Sequence, residues 1–142
     1  MMTMLTINAN GIRTKRQRAF LGKILVDLRI GICVVTETHL RIKELKRIRM
    51  NDYVVLADSC RPTPVGDHIG GGVVILVHAN FTAEEIPEIG GLPEHLEHCS
   101  IKFYPTANPK TATRISGVYI SPTGAKKTRN RGPNSAQRPQ AG

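Results

Sequence analysis

A chain of 142 residues has room for one modest domain, and its 40% hydrophobic content can fill a core, whereas 4% aromatics and no Trp argue against a base-stacking platform for single strands. Three cysteines without C-x-x-C spacing fit buried thiols in a reducing compartment better than a disulfide framework or zinc ribbon. No leader-like segment and no run of about 18 apolar residues is present, so an intracellular protein, nuclear or cytoplasmic, with no signal peptide and no membrane partner is expected. The net charge of +9 is uneven: residues 1–51 carry +8, residues 52–122 carry −4 and residues 123–142 carry +5.

In chain order, Met4 to Asn8 alternates like a strand, and Asn10-Gly11 supplies a turn. Thr14 is placed to cap a helix running to about Arg29, with Phe20, Ile24, Leu25 and Leu28 on one face. Ile30 to Val35 is short, β-branched and almost uncharged, which predicts a buried strand. The three elements make a β–α–β unit whose strands should be neighbours in one sheet. Arg41 to Arg49 reads as a short basic helix and Tyr53 to Ala57 as a strand. Asp58 to Gly72 is a Pro- and Gly-rich loop. Its run Gly70-Gly71-Gly72 opens a strand and lacks the G-x-x-x-x-G-K-[ST] pattern of a phosphate loop. Val73 to His78 is a second buried strand. Further strands are expected at Phe81–Ile86, His98–Tyr104 and Ala112–Ile120, the last with Gly117 as a bulge. From Thr123 the chain has no large apolar residue, and a disordered basic tail is expected.

Three polar spots fall at strand ends: Asn8-Ala9-Asn10-Gly11, Glu37-Thr38-His39, and Tyr119-Ile120-Ser121-Pro122. Strand ends of open α/β sheets are where ligands gather. A carboxylate such as Glu37 suits Mg²⁺, which takes oxygen ligands and only one or two from protein. Asn amides and a Tyr hydroxyl can bond phosphate oxygens. Each has a plain structural alternative: a solvated or capping Glu, an Asn-Gly turn, a core Tyr. Two basic clusters, Arg13, Lys15, Arg16 and Arg18, then Arg41, Lys43, Lys46, Arg47 and Arg49, would attract phosphate backbones of DNA, or of RNA, through counterion release. Solvated helix faces are the alternative. His95, His98 and Cys99 fit neither a zinc-finger pair nor the H-E-x-x-H helix.

The order of these elements resembles the endonuclease/exonuclease/phosphatase superfamily, specifically the apurinic-endonuclease-like domain of non-LTR (LINE-type) retrotransposons. The resemblance rests on Leu5-Thr6-Ile7-Asn8-Ala9-Asn10-Gly11-Ile12, Val34-Val35-Thr36-Glu37-Thr38-His39, Gly71-Gly72-Val73-Val74-Ile75-Leu76-Val77 and Gly117-Val118-Tyr119-Ile120-Ser121-Pro122, within residues 3–122. It implies an α/β fold, a four-layer sandwich of two mixed sheets with outer helices, here only its N-terminal part, over residues 1–122. It implies Mg²⁺-dependent phosphodiester hydrolysis that nicks DNA for target-primed reverse transcription. Asn8, Glu37 and Tyr119 would be catalytic, with Glu37 and Asn8 toward the metal. Asn10, Arg41, Lys43, Lys46 and Arg47 would contact DNA. The family's G-D-x-N motif and its Asp-His finale are missing, since no Asp follows Asp67 and no His follows His98. A non-catalytic nucleic-acid-binding protein and an inactive pseudogene product are the alternatives.

Overall fold

Ile30–Thr36 and Val73–His78 are apolar on both faces, so each needs cover on two sides, and the architecture supplies it. The computed structural model describes residues 2–45, 48–60, 71–87, 92–93 and 96–120. The expectations for Lys46, Arg47, His95, Ser121-Pro122, the tail 123–142 and most of the Pro/Gly loop lie outside them.

The elements are β1 (Thr3–Asn8), α1 (Lys15–Asp27), β2 (Ile30–Thr36), α2 (Ile42–Leu45), β3 (Tyr53–Ser59), β4 (Val73–His78), β5 (Thr82–Ile86), β6 (Leu96–Tyr104) and β7 (Thr113–Ile120), with a 3₁₀ turn at Pro109–Thr111. One sheet has the order β1-β2-β4-β3 and a second the order β5-β6-β7. β1 and β2 run parallel, as the β–α–β reading requires, and every other pairing is antiparallel.

Among the described residues this is a mixed α/β arrangement of three layers. Leu21 and Leu25 of α1 pack on Cys33, Val35, Val74 and Leu76, which point to one side of the first sheet. Ile32, Val34, Ile75 and Val77 point to the other side and meet Cys99, Ile101 and Phe103 of the second sheet. The alternation of side chains along β2 and β4 therefore builds two cores from one pair of strands.

Several local expectations need correction. Helix α1 begins on the Thr14 cap, whose hydroxyl accepts from the Gln17 N–H while the Gln17 side chain accepts from the Thr14 N–H. Its buried stripe, however, is Leu21 and Leu25, whereas Phe20 is 70% and Leu28 56% exposed. The apolar positions on α1 are too many for one stripe, and the sheet covers only part of them. Of the basic helix expected over 41–49, the described residues show a turn at Ile42–Leu45, and residues 48 and 49 lie outside it. Gly117 is no bulge: the β6–β7 register runs unbroken through Cys99↔Gly117. A Cβ at Gly117 would stand 2.8 Å from Cγ1 of both Val34 and Val73, so the glycine allows the two sheets to approach.

Candidate functional site at the strand ends

Three backbone segments meet where β1 and β2 end and β4 begins. Ala9 N–H donates to the Thr36 carbonyl at 2.9 Å, Gly11 N–H to Glu37 at 2.7 Å and Ile12 N–H to Thr38 at 2.9 Å. From the other side, Thr38 N–H donates to the Gly72 carbonyl at 3.3 Å and His39 N–H to Gly71 at 2.9 Å. The backbone is forced into left-handed conformations here: Asn10 (φ +48°), Gly11 (+104°), Glu37 (+52°), His39 (+58°), Gly71 (+72°) and Gly72 (+97°) all lie in this cluster. Glycine adopts such conformations freely and Asn and His tolerate them, whereas at Glu37 the conformation persists only because the surroundings over-determine it.

Glu37 leaves β2 half-buried, and the Tyr119 hydroxyl donates to its Oε1 at 2.9 Å. The two residues are 82 positions apart and belong to different sheets. Beside Tyr119 across β6–β7 stands Glu97, whose Oε1 accepts from the Gly72 N–H at 2.5 Å. Thr38 is fully buried, and a Cβ on Gly72 would collide with its hydroxyl oxygen, so that position tolerates only glycine.

Asn8 is exposed at the end of β1, in register with Thr36, and its Oδ1 accepts from the Asn10 N–H at 3.2 Å, an Asx turn. Asn10 is exposed at the tip of that turn. A depression of about 460 Å³ opens beside Asn8, bordered by Arg16, Gln17 and Phe20. The structure thus brings Glu37 and Tyr119 into contact and sets Asn8 one strand away.

The expected DNA-contacting arginines behave differently. Glu44 binds Arg13 Nε at 3.1 Å and the Arg41 N–H at 2.9 Å. Burial raises its pKa, but the Arg41 hydrogen bond and the Arg13 charge outweigh that and hold the carboxyl below its ordinary value. Arg41 Nε is buried with no hydrogen-bond partner among the described residues, and Lys43 is exposed on α2.

Could these residues hold a divalent cation? Among the described residues no three His, Cys, Asp or Glu side chains cluster as ligands. The donor set at the strand ends is one carboxylate, Glu37, with a neighbouring amide, Asn8. That suits a largely hydrated Mg²⁺, the usual coordination for this ion, and does not suit Zn²⁺. Burial pushes the thiols of Cys33, Cys60 and Cys99 up to about 12, with nearby carboxylates adding to the rise for Cys60 and Cys99, so none is a ready thiolate ligand.

Sequence reasoning placed Thr38 in the strand-end spot and Glu97 beside His95, His98 and Cys99 but gave neither a role. A Glu in a strand and a Thr after a strand carry no local signal, since their importance comes from the pairing of distant segments. No family model matches this chain, and no curated protein matches it either. Among the described residues no helix is long and apolar enough to cross a membrane.

Proposed function

We propose that these residues form the N-terminal part of a phosphodiester-handling domain of the endonuclease/exonuclease/phosphatase kind, similar to retrotransposon endonucleases. The carrying observation is the Tyr119–Glu37 hydrogen bond of 2.9 Å, which joins two motifs of that resemblance across two sheets. The two face-to-face sheets with α1 outside agree with three layers of the family's four-layer sandwich.

In this reading Glu37 and Asn8 hold Mg²⁺, which when bound neutralises charge on the phosphate. Tyr119 aims the Glu37 carboxylate along the strand ends by donating its one hydroxyl proton to it, and that proton turns to a phosphate oxygen once the cation holds Glu37. Asn10 holds the turn that carries Asn8. The family's Asp and His motifs are absent from the sequence, so this reading assigns no general base for water. The chain therefore binds a cation and a phosphodiester without completing hydrolysis. DNA is the partner that the basic N-terminal third favours.

Paramagnetic broadening tests this. Mn²⁺ in place of Mg²⁺ should broaden the amide signals of residues 8–11, 37–39 and 119 first, and Glu37→Ala should abolish the effect. Broadening elsewhere, or broadening indifferent to Glu37→Ala, would remove the metal half-site from the reading.

A further inference from the structure

One face of α1 is lined up against the segment 49–51. Positions 15, 18, 19, 22, 23, 26 and 27 follow helical spacing along a groove of about 620 Å³. Its floor is largely apolar, with Ala19, Gly22, Val26 and Met50, and it is flanked by Lys15, Arg18, Lys23 and Arg49 against the single carboxylate of Asp27. Arg18 Nη1 donates to the carbonyls of Ile12 (3.1 Å) and Arg13 (2.6 Å), neutral acceptors that fix the guanidinium without cancelling its charge. Arg49 Nη1 donates to the Ile48 carbonyl at 3.0 Å. Lys23 pairs with Asp27 at 2.9 Å, but both are exposed, and such a pair opens readily to a competing phosphate.

The floor carries the second observation. Gly22 sits in mid-helix, where glycine costs about 1 kcal/mol relative to alanine. Nothing lies within 4 Å of where its Cβ would be, so packing does not explain the missing side chain. The glycine leaves the groove deep enough for a backbone to approach.

From this geometry we infer that the groove between α1 and residues 49–51 is the docking surface for a nucleic-acid phosphodiester backbone. It is distinct from the strand-end site, it joins Lys15 and Arg18 of the first basic cluster to Arg49 of the second, and it rests on the reading that this chain meets nucleic acid. The 13-residue helix is about 20 Å long, enough to run beside about three successive phosphates of one strand. A linear, basic-walled cleft fits a strand better than it fits the flat face of a lipid surface. By contrast, the Arg13 guanidinium is paired with Glu44, whose other oxygen accepts from the Arg41 backbone N–H.

The test is fluorescence anisotropy of the full chain with a labelled DNA duplex, and with an RNA strand to show which phosphates are preferred, over about 50 to 200 mM salt. The Lys15→Gln/Lys23→Gln/Arg49→Gln variant should lower the slope of log K against log salt by about 0.9 for each phosphate no longer neutralised, and so by about 2 to 3 in all for duplex DNA. A control triple on the second sheet, Lys102→Gln/Lys110→Gln/Arg114→Gln, removes the same charge and should leave the slope in place. Gly22→Glu fills the floor with a good helix former. It should weaken binding at least tenfold while the melting temperature holds or rises. If both triples flatten the slope equally, or if Gly22→Glu binds like the natural chain, the groove is not the site although nucleic-acid binding stands. If the natural chain binds neither probe, or binds only anionic vesicles, both the groove and the reading beneath it fall.

Discussion

Gly117→Ala should loosen both the sheet packing and the strand-end site. The new Cβ would lie 2.8 Å from Val34 Cγ1 and 2.8 Å from Val73 Cγ1, against an ordinary carbon–carbon separation of about 3.5–4.0 Å. An overlap of about 1 Å must be relieved by valines turning or by the sheets parting. Both valines are buried and β-branched, with one favoured rotamer each, so parting is the cheaper route. Overpacking of this kind costs about 1–3 kcal/mol, and alanine recovers about 0.5–1 of it over glycine in a strand. The net loss is about 1–2 kcal/mol, a fall in melting temperature of about 3–8 °C for a domain of this size. Tyr119 follows two residues later on the same face, so the sheet separation also sets whether its hydroxyl reaches Glu37. Urea unfolding of Gly117→Ala, Val34→Ala and the double variant measures this, with an expected coupling of about 1 kcal/mol in favour of the double. Strict additivity, or an unchanged single variant, would show that the sheets do not touch at Gly117.

With supercoiled plasmid and Mg²⁺ the chain should leave the DNA unnicked. The general-base contribution it lacks is a factor of about 10² to 10⁴, and nicking that disappears in Glu37→Ala would overturn this. Glu97→Leu strips the Gly72 N–H of its acceptor and should cost about 1–3 kcal/mol and speed hydrogen exchange at that amide, while Glu97→Gln keeps most of the protection. Equal exchange in both variants would contradict the assigned bond. The raised thiols give an alkaline limit. The folded chain keeps Cys33, Cys60 and Cys99 protonated up to about 12, whereas the unfolded chain releases those protons near 9.0. Their contribution is complete below 9.0 and is lost as pH rises from there through about 12, so the melting temperature should hold up to 9.0 and fall above it. A melt independent of pH across that range would place the thiols in water.

Much of the fold was legible because β2 and β4 are apolar on both faces, and such runs fit only buried central strands. The β–α–β unit followed from Thr14, the helical spacing and Ile30–Val35. The helix face was misjudged because Phe20 and Leu28 look like core in sequence, and only the extent of the sheet shows that they are left outside. Gly117 looked like a bulge because a glycine in a strand has two common uses, and choosing between them requires knowing what lies above it. At the site, Glu37 and Tyr119 could be paired only through the family resemblance, since no periodicity links residues 82 apart. The role of Glu97 was hidden for the same reason: its partner, the Gly72 amide, is 25 residues away in sequence.

Glu37 stands at φ +52°, a conformation that Asn, His and Asp tolerate but that costs a residue such as Glu about 1–2 kcal/mol. Neighbouring Asn10 and His39 are of the tolerant types, and Glu37 is not. On the proposed reading, folding and chemistry therefore pull this codon in opposite directions. In a library randomised at position 37 and sorted only for protease resistance, Gly and Asn would rise above Glu. In a lineage that no longer used the carboxylate, the same drift would proceed unopposed, and the chain would grow more stable by discarding the group on which a phosphodiester site would depend.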